Sequence, residues 1–246
     1  MMVQYREQTH AIEPTMTNNP SITNYPIETL FRHHPEPIDL LEDFVAMKRI
    51  VIIGSSGSGK STLARQLGAT LNLPIIHLDV HYWKPGWVES DSTEWQQKVA
   101  DFVREEAWII DGNYRQTLDI RLQAADTVVF LDLPRWLCVM RAIKRRLMYL
   151  YRPRPDIAPG CKESLFDAHF WRFLGWIWNY NKRARPDVLY RLSQLRPDQQ
   201  LFWLRSPAEV ARFAADPLHY PPSLLPKAMP PSPYQVPHME RPFSGP

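Results

Sequence analysis

Nine consecutive residues, Gly54-Ser55-Ser56-Gly57-Ser58-Gly59-Lys60-Ser61-Thr62, carry the pattern Gly-x-x-x-x-Gly-Lys-Ser/Thr. These types at this spacing suit the capture of a phosphate chain. Glycines let the backbone curl closely round an anion, with N–H groups aimed inward. Lys60 is placed to reach β- and γ-phosphate oxygens, and the Ser61 hydroxyl to bind Mg²⁺. A helix starting there would turn its positive end toward the same anion. The competing reading is a flexible Ser/Gly turn that happens to contain a lysine, and the flanks decide between the two. Arg49-Ile50-Val51-Ile52-Ile53 reads as a buried parallel strand, while Leu63, Leu67 and Leu71 recur at helical spacing beyond the loop. Nucleotide binding over residues 54–62, with ATP and Mg²⁺ as cofactors, is the expectation.

Two carboxylates fall where they would serve such a site. Leu73-Pro74-Ile75-Ile76-His77-Leu78-Asp79 and Ala107-Trp108-Ile109-Ile110-Asp111 read as strands that each end in Asp. In open parallel sheets ligands bind beyond the carboxyl ends of the strands. Asp111, closing an apolar run, is a candidate to hold Mg²⁺, commonly through water. Asp79 is a candidate to accept a proton from an attacking hydroxyl or to share the metal. Capping of a turn is the plainer role for either. His77, Asp79 and His81 alternate along one predicted strand and raise a transition-metal site, for which no fourth ligand is evident.

The elements that must position these groups alternate strand and helix, the mark of an α/β parallel sheet. A helix is expected over 93–106, capped by Asp91 or Ser92, and a fourth strand over 127–131. A long helix follows Pro134 to about residue 149. After an Arg- and Pro-rich irregular stretch, 151–160, comes a second helical stretch from about 162 to 185, extending as far as 195. A fifth strand over 200–205 and a closing helix over 207–213 complete five parallel strands flanked by helices. Phe166, Phe170, Phe173, Leu174, Ile177 and Trp178 form a helical stripe that reads as core. Trp171, Trp176 and Tyr180 fall off it, toward a lid, a partner or an acceptor pocket.

The chain has 246 residues, 44% of them hydrophobic, enough for one ordinary domain with extensions. Residues 1–46 hold scattered prolines without periodicity and are expected to be poorly ordered and of little function. Met47-Lys48-Arg49 reads as a native start, with 1–46 an appended extension. Residues 47–215 form the domain, with a lid over about 141–162, and 216–246, with ten prolines, read as a disordered tail. The net charge is only +3, yet residues 135–196 hold fourteen Lys/Arg against four Asp/Glu. That block points to an anionic partner, phosphate or nucleic-acid backbone, or to a solvated helix surface. Two distant cysteines, Cys138 and Cys161, fit a reduced, cytoplasmic setting. No apolar run is long enough to span a membrane.

Asp111-Gly112-Asn113-Tyr114-Arg115 resembles the Asp-Gly-x-x-Arg element of the adenylate-kinase-like nucleoside monophosphate kinases, and Arg141-Ala-Ile-Lys-Arg145 resembles their Arg-x-x-x-Arg at the base of a mobile lid. The resemblance implies that Arg115 grips the acceptor phosphate. Arg141 and Arg145, four apart on one helix face, would meet a single phosphate chain and neutralise charge on the transferred phosphoryl, with Arg146, Arg152 and Arg154 as weaker candidates. Asn113-Tyr114 stand where those kinases have Phe-Pro, and the segment with Trp83 and Trp87 does not resemble their AMP-binding helices. Those tryptophans would stack a flat acceptor or clamp their own loop.

A wider set of motifs is similar to the bacterial DNA topology modulation, or FlaR-like, proteins. It comprises Leu78-Asp79-x-x-x-Trp83-x-Pro85-Gly86-Trp87, Ile110-Asp111-Gly112-Asn113-Tyr114, Pro155-Asp156, Gly160-Cys161-x-Glu163 and Trp176-Ile177-Trp178-x-Tyr180. This resemblance implies a P-loop kinase fold with an ATP site and leaves the acceptor undefined. The expectation is an ATP-dependent phosphotransferase acting on a small acceptor. Its catalytic residues would be Lys60, Asp79, Arg115, Arg141 and Arg145, and its metal ligands Ser61, Asp79 and Asp111. The alternative is a nucleotide-dependent regulator associated with DNA or a protein partner, although no DNA-reading module is recognisable.

Overall fold

The computed structural model describes residues 47–150, 156–161 and 168–224. β1 (Arg49–Gly54) is the central strand of a five-stranded parallel sheet. β2 (Ile75–His77), β5 (Trp108–Asp111), β6 (Thr127–Leu131) and β7 (Gln200–Leu204) complete it in the order β2-β5-β1-β6-β7. The β-branched run predicted for β1 is explained by burial on both faces. Val51 and Ile53 point into one core with Trp108, Ile110, Val128 and Phe130, while Ile50 and Ile52 point into another with Ile109, Val129, Leu131 and Phe202.

Helices cover both faces. α1 (Lys60–Leu71) and α8 (Pro207–Ala215) lie on one, burying Leu63, Leu67 and Phe213. α3 (Ser92–Phe102), α4 (Leu118–Ala124) and α7 (Arg185–Leu192) lie on the other through Trp95, Val99, Leu122 and Val188. Asp91 caps α3, its carboxylate accepting from the Thr93 and Glu94 amides at 2.8 and 3.1 Å. α5 (Arg135–Met148) and α6 (Ala168–Arg183) pack on each other through Cys138, Ala142, Phe170, Leu174 and Ile177.

Several expectations need correction. The second strand stops at His77, and Leu78–Tyr82 forms the short helix α2, so Asp79 sits in a first helical turn and does not end a strand. An antiparallel hairpin, β3 (Trp83–Lys84) with β4 (Val88–Glu89), follows. The long C-terminal helix breaks at Ala184 into α6 and α7, because Pro186 has no N–H to continue it. Of the predicted apolar stripe on α6, Trp178 is exposed, whereas Tyr180 is buried. The start of the tail is placed against the sheet. Ser223 donates its amide to the Leu201 carbonyl and accepts the Trp203 amide, and Tyr220 packs on Phe202 and Phe213. Phe166 and residues 1–46, 151–155 and 225–246 lie outside the described residues.

Candidate phosphate-binding site

The loop between β1 and α1 takes the shape its glycines permit. Gly54, Gly57 and Gly59 have φ of 145°, 80° and 101°, values that side-chain-bearing residues rarely adopt. At Gly57 a Cβ would stand 2.2 Å from the Cys138 carbonyl oxygen, so the loop lies directly against α5. Lys60 is half-buried, and its ammonium donates to the carbonyls of Gly54 and Ser55 at 3.0 and 3.1 Å. Burial lowers its pKa, opposed by the nearby carboxylates of Asp79 and Asp111, while Arg145 lowers it further. The expected lysine, both aspartates and a lid-helix arginine therefore share one electrostatic neighbourhood. Arg141 goes further and donates to the Ser58 carbonyl at 3.2 Å. Ser61 is half-buried in the first turn of α1, Ser56 is half-buried, and Thr62 is exposed.

The Ser55 and Ser58 hydroxyls are buried without a hydrogen-bond partner. Orphaned donors in a glycine-lined curl beside a lysine fit a ligand rich in acceptor oxygens, as a phosphate chain is. Ser61, Asp79 and Asp111 offer the hard oxygen donors that suit Mg²⁺. The alternating His77, Asp79 and His81 do not converge, since His81 packs on the Phe102 ring 4.8 Å away. Among the described residues no group of three or more His, Cys, Asp or Glu side chains could hold a metal ion on its own, which leaves a ligand's oxygens to complete any magnesium shell.

Contacts that no motif predicted tie the aspartates down. Asp111 is buried and accepts a 2.6 Å hydrogen bond from His77 Nδ1. That bond raises the His77 pKa above its ordinary value against the opposing effect of burial. Asp79 accepts the Tyr114 hydroxyl at 2.7 Å, and burial, reinforced by Asp79, holds that phenol well above its usual range. Asn113 Oδ1 accepts the Gly54 amide at 3.2 Å, joining the loop after β5 to the phosphate loop. The Asn-Tyr pair that departs from the adenylate-kinase pattern is thus the pair that links the loop after β5 to both Gly54 and Asp79.

Arg121 holds that loop from below. It is completely buried and donates to the carbonyls of Gly112 (2.9 Å), Asn113 and Tyr114 (3.0 Å each) and Thr117 (3.3 Å). Burial pushes its pKa down to about 9, which leaves it charged at neutral pH. The one available signal was an arginine on the apolar stripe of α4, between Leu118 and Leu122.

Arg115 opens the 3-10 turn Arg115–Thr117, with Asp187 3.9 Å from its guanidinium. It lines a cleft with Asn113, Leu118, Trp176 and Tyr180, whose open space of about 10 Å³ admits little more than one water. Tyr180 is buried with an unpartnered hydroxyl. Trp176 and Tyr180 therefore stand beside Arg115, while Trp171 is exposed. Arg146 lies over the Phe170 ring at 4.6 Å, on the α6 side of its helix, and Arg152 and Arg154 lie outside the described residues. Trp83 and Trp87 meet edge to face, ring centres 5.5 Å apart, clamping their own hairpin. Gly86 donates its amide to the Gly160 carbonyl, and the Cys161 thiol approaches the Lys84 carbonyl at 3.4 Å, so residues 156–161 rest on that hairpin.

No family model matches the chain. The ATP-dependent protease ATPase subunit HslU of Helicobacter pylori (strain G27) and of Helicobacter acinonychis (strain Sheeba) is 26% identical over 86 residues, 35% of this chain and 19% of the relative. The chain thus spans about a fifth of the length of the curated relatives it matches. Shikimate kinase from Acinetobacter baumannii, solved with shikimate, has a TM-score of 0.44 at 15% identity, over 72% of this chain and 94% of that one. A gluconokinase from Sinorhizobium meliloti 1021 has 0.38 at 17%, over 70% and 95%. Likenesses this distant leave the fold to the chain's own geometry. A five-stranded parallel sheet with helices on both faces, and a glycine-rich loop joining its central strand to a helix that opens on Lys60-Ser61, is a P-loop NTPase fold.

Proposed function

We propose that the protein is a phosphotransferase of the adenylate-kinase-like group that moves the γ-phosphoryl of ATP to a small acceptor. The observation that carries this reading is the convergence on one loop of the Lys60 ammonium, the Asp79 and Asp111 carboxylates and two arginines of α5. Mg²⁺-ATP supplies the phosphoryl group and its charge-neutralising cation. Residues 54–62 hold the phosphate chain by backbone amides and Lys60, and Ser61 with Asp79 and Asp111 holds the cation. Asp79, whose Oδ1 is already fixed by Tyr114, orients the acceptor or receives its proton. Arg141 and Arg145 neutralise charge over the loop, and Arg115 holds an anionic acceptor in the cleft with Asn113 and Tyr180. That cleft must widen to admit one, so acceptor binding moves α6.

Kinship with the FlaR-like proteins belongs to the same reading and rests on the motifs of the hairpin, the loop after β5 and α6. A cytoplasmic setting is supported by two free cysteines. The test is ATP turnover with radiolabelled γ-phosphate against a panel of hydroxyl- and phosphate-bearing metabolites. Lys60→Ala should lower turnover by about a hundredfold or more, while Arg115→Ala should mainly raise the acceptor KM. Full turnover in Lys60→Ala would refute the proposal.

A further inference from the structure

α5 turns one stripe of apolar groups outward, on the side opposite the phosphate loop. Arg141 reaches the phosphate loop and Cys138 and Ala142 are buried, but Trp136, Met140, Ile143 and Leu147 face solvent. Their spacing, four, three and four residues, makes a single stripe along the helix. α6 continues the apolar surface. Arg135 lies over the Trp178 ring at 4.2 Å and Arg146 over Phe170, so the two helices run antiparallel with Trp178 beside the start of α5 and Trp171 toward its end. Trp136, Trp171 and Trp178 are 56%, 67% and 45% exposed, too much for side chains that merely line a crevice.

The charge around this face is one-sided. Neither α5 nor α6 holds a single Asp or Glu, and the arginines that α5 turns toward the phosphate loop and α6 are not needed for this face. Lys144, Arg172, Lys182 and Arg183 are exposed along the outer sides of the two helices. A second copy of the chain would bring two such cationic faces together, which repel. A nucleic-acid backbone would satisfy the cations and leave Met140, Ile143 and Leu147 in water. An anionic bilayer satisfies both, since aromatic and aliphatic side chains enter the headgroup region while Lys and Arg meet its phosphates. We propose that the outward face of α5 and α6 docks this protein reversibly on an anionic lipid surface. No helix among the described residues is long and apolar enough to cross a membrane, so the attachment is peripheral. It lies on the side of α5 away from the phosphate loop and does not depend on phosphoryl transfer.

The full chain is sedimented with vesicles of phosphatidylcholine alone or mixed with phosphatidylglycerol. Binding to the mixed vesicles at low salt, weakening at high salt and absent with phosphatidylcholine alone, is the expected result. The triple variant Trp136→Ala/Trp171→Ala/Trp178→Ala should lose at least about tenfold in partitioning, with its circular dichroism unchanged. If that variant misfolds, quenching of wild-type tryptophan fluorescence by brominated lipid decides, and unquenched emission on anionic vesicles counts against insertion. The proposal is overturned by no association with anionic vesicles, which would leave the face to an acidic protein partner. Undiminished binding of a folded triple variant (charge alone) or a wild-type dimer that the variant dissociates (a second copy) would overturn it equally.

Discussion

Lys60 rests on the carbonyls of Gly54 and Ser55 and is held in place by its own loop. In the proposed nucleotide complex, exchange of those carbonyls for phosphate oxygens would give the ammonium a charged partner. Arg121 illustrates the opposite use of a cation, since it is buried whole and directs its guanidinium to the carbonyls of residues 112–114 and 117. Arg121→Ala should therefore destabilise the fold by about 3 kcal/mol or more in denaturant unfolding. Arg121→Lys should recover only part, because an ammonium cannot reproduce the guanidinium fork. A loss below about 1 kcal/mol for the alanine variant would show that water replaces Arg121 without penalty. The glycine-rich loop and the strand that ends in Asp111 were legible in the sequence because both are written in local spacing, whereas Asp79, read as a strand end, sits in α2. Arg121, Asn113 and Tyr114 were not legible, because their roles depend on which carbonyl, amide or carboxylate the fold brings within 3 Å or so of them.

Among the elements, β1, β6 and β7 were readable from β-branched and aromatic runs, and α3 from its cap. The segment 78–82 misled because apolar Leu78, Val80 and Tyr82 alternate as in a strand. β2 ends at the His77–Asp111 pairing, and the backbone beyond it closes into α2 with Leu78 and Tyr82 buried. Two-residue strands such as β3 and β4 are too short to show any period. The contact of the phosphate loop with α5 is likewise invisible in sequence, and it makes the glycines unequal. A Cβ at Gly57 would meet the Cys138 backbone at 2.2 Å, whereas one at Gly59 meets only Arg141 Nη1 at 3.7 Å. Both substitutions incur left-handed backbone strain of about 1–2 kcal/mol. Gly57→Ala should additionally displace the loop or the helix, so its melting temperature should fall well below that of Gly59→Ala. Equal melting temperatures would mean that the loop does not bear on α5.

At the scale of the whole molecule, the sheet sets Gly54, His77, Asp111 and Leu131 at one edge, from which the phosphate loop and the loop of Asn113 and Tyr114 extend. α5 closes that edge with Arg141 and Arg145 and turns its aromatic and aliphatic side chains outward, while residues 156–161 rest on the hairpin near β2. Fold class follows from patterns that repeat along the chain, whereas the strand order emerges only from the folded sheet. The cleft beside Arg115 is not legible either, since Arg115, Trp176 and Tyr180 come from distant segments joined only by packing. The proposal that unites these features is the capture of a triphosphate by the loop between β1 and α1. Titration calorimetry of the full chain with Mg²⁺-ATP and Mg²⁺-GTP tests this most directly. The geometry predicts a saturable one-to-one complex with at least one of them, lost in Lys60→Ala, whereas no saturable heat with either nucleotide would contradict it.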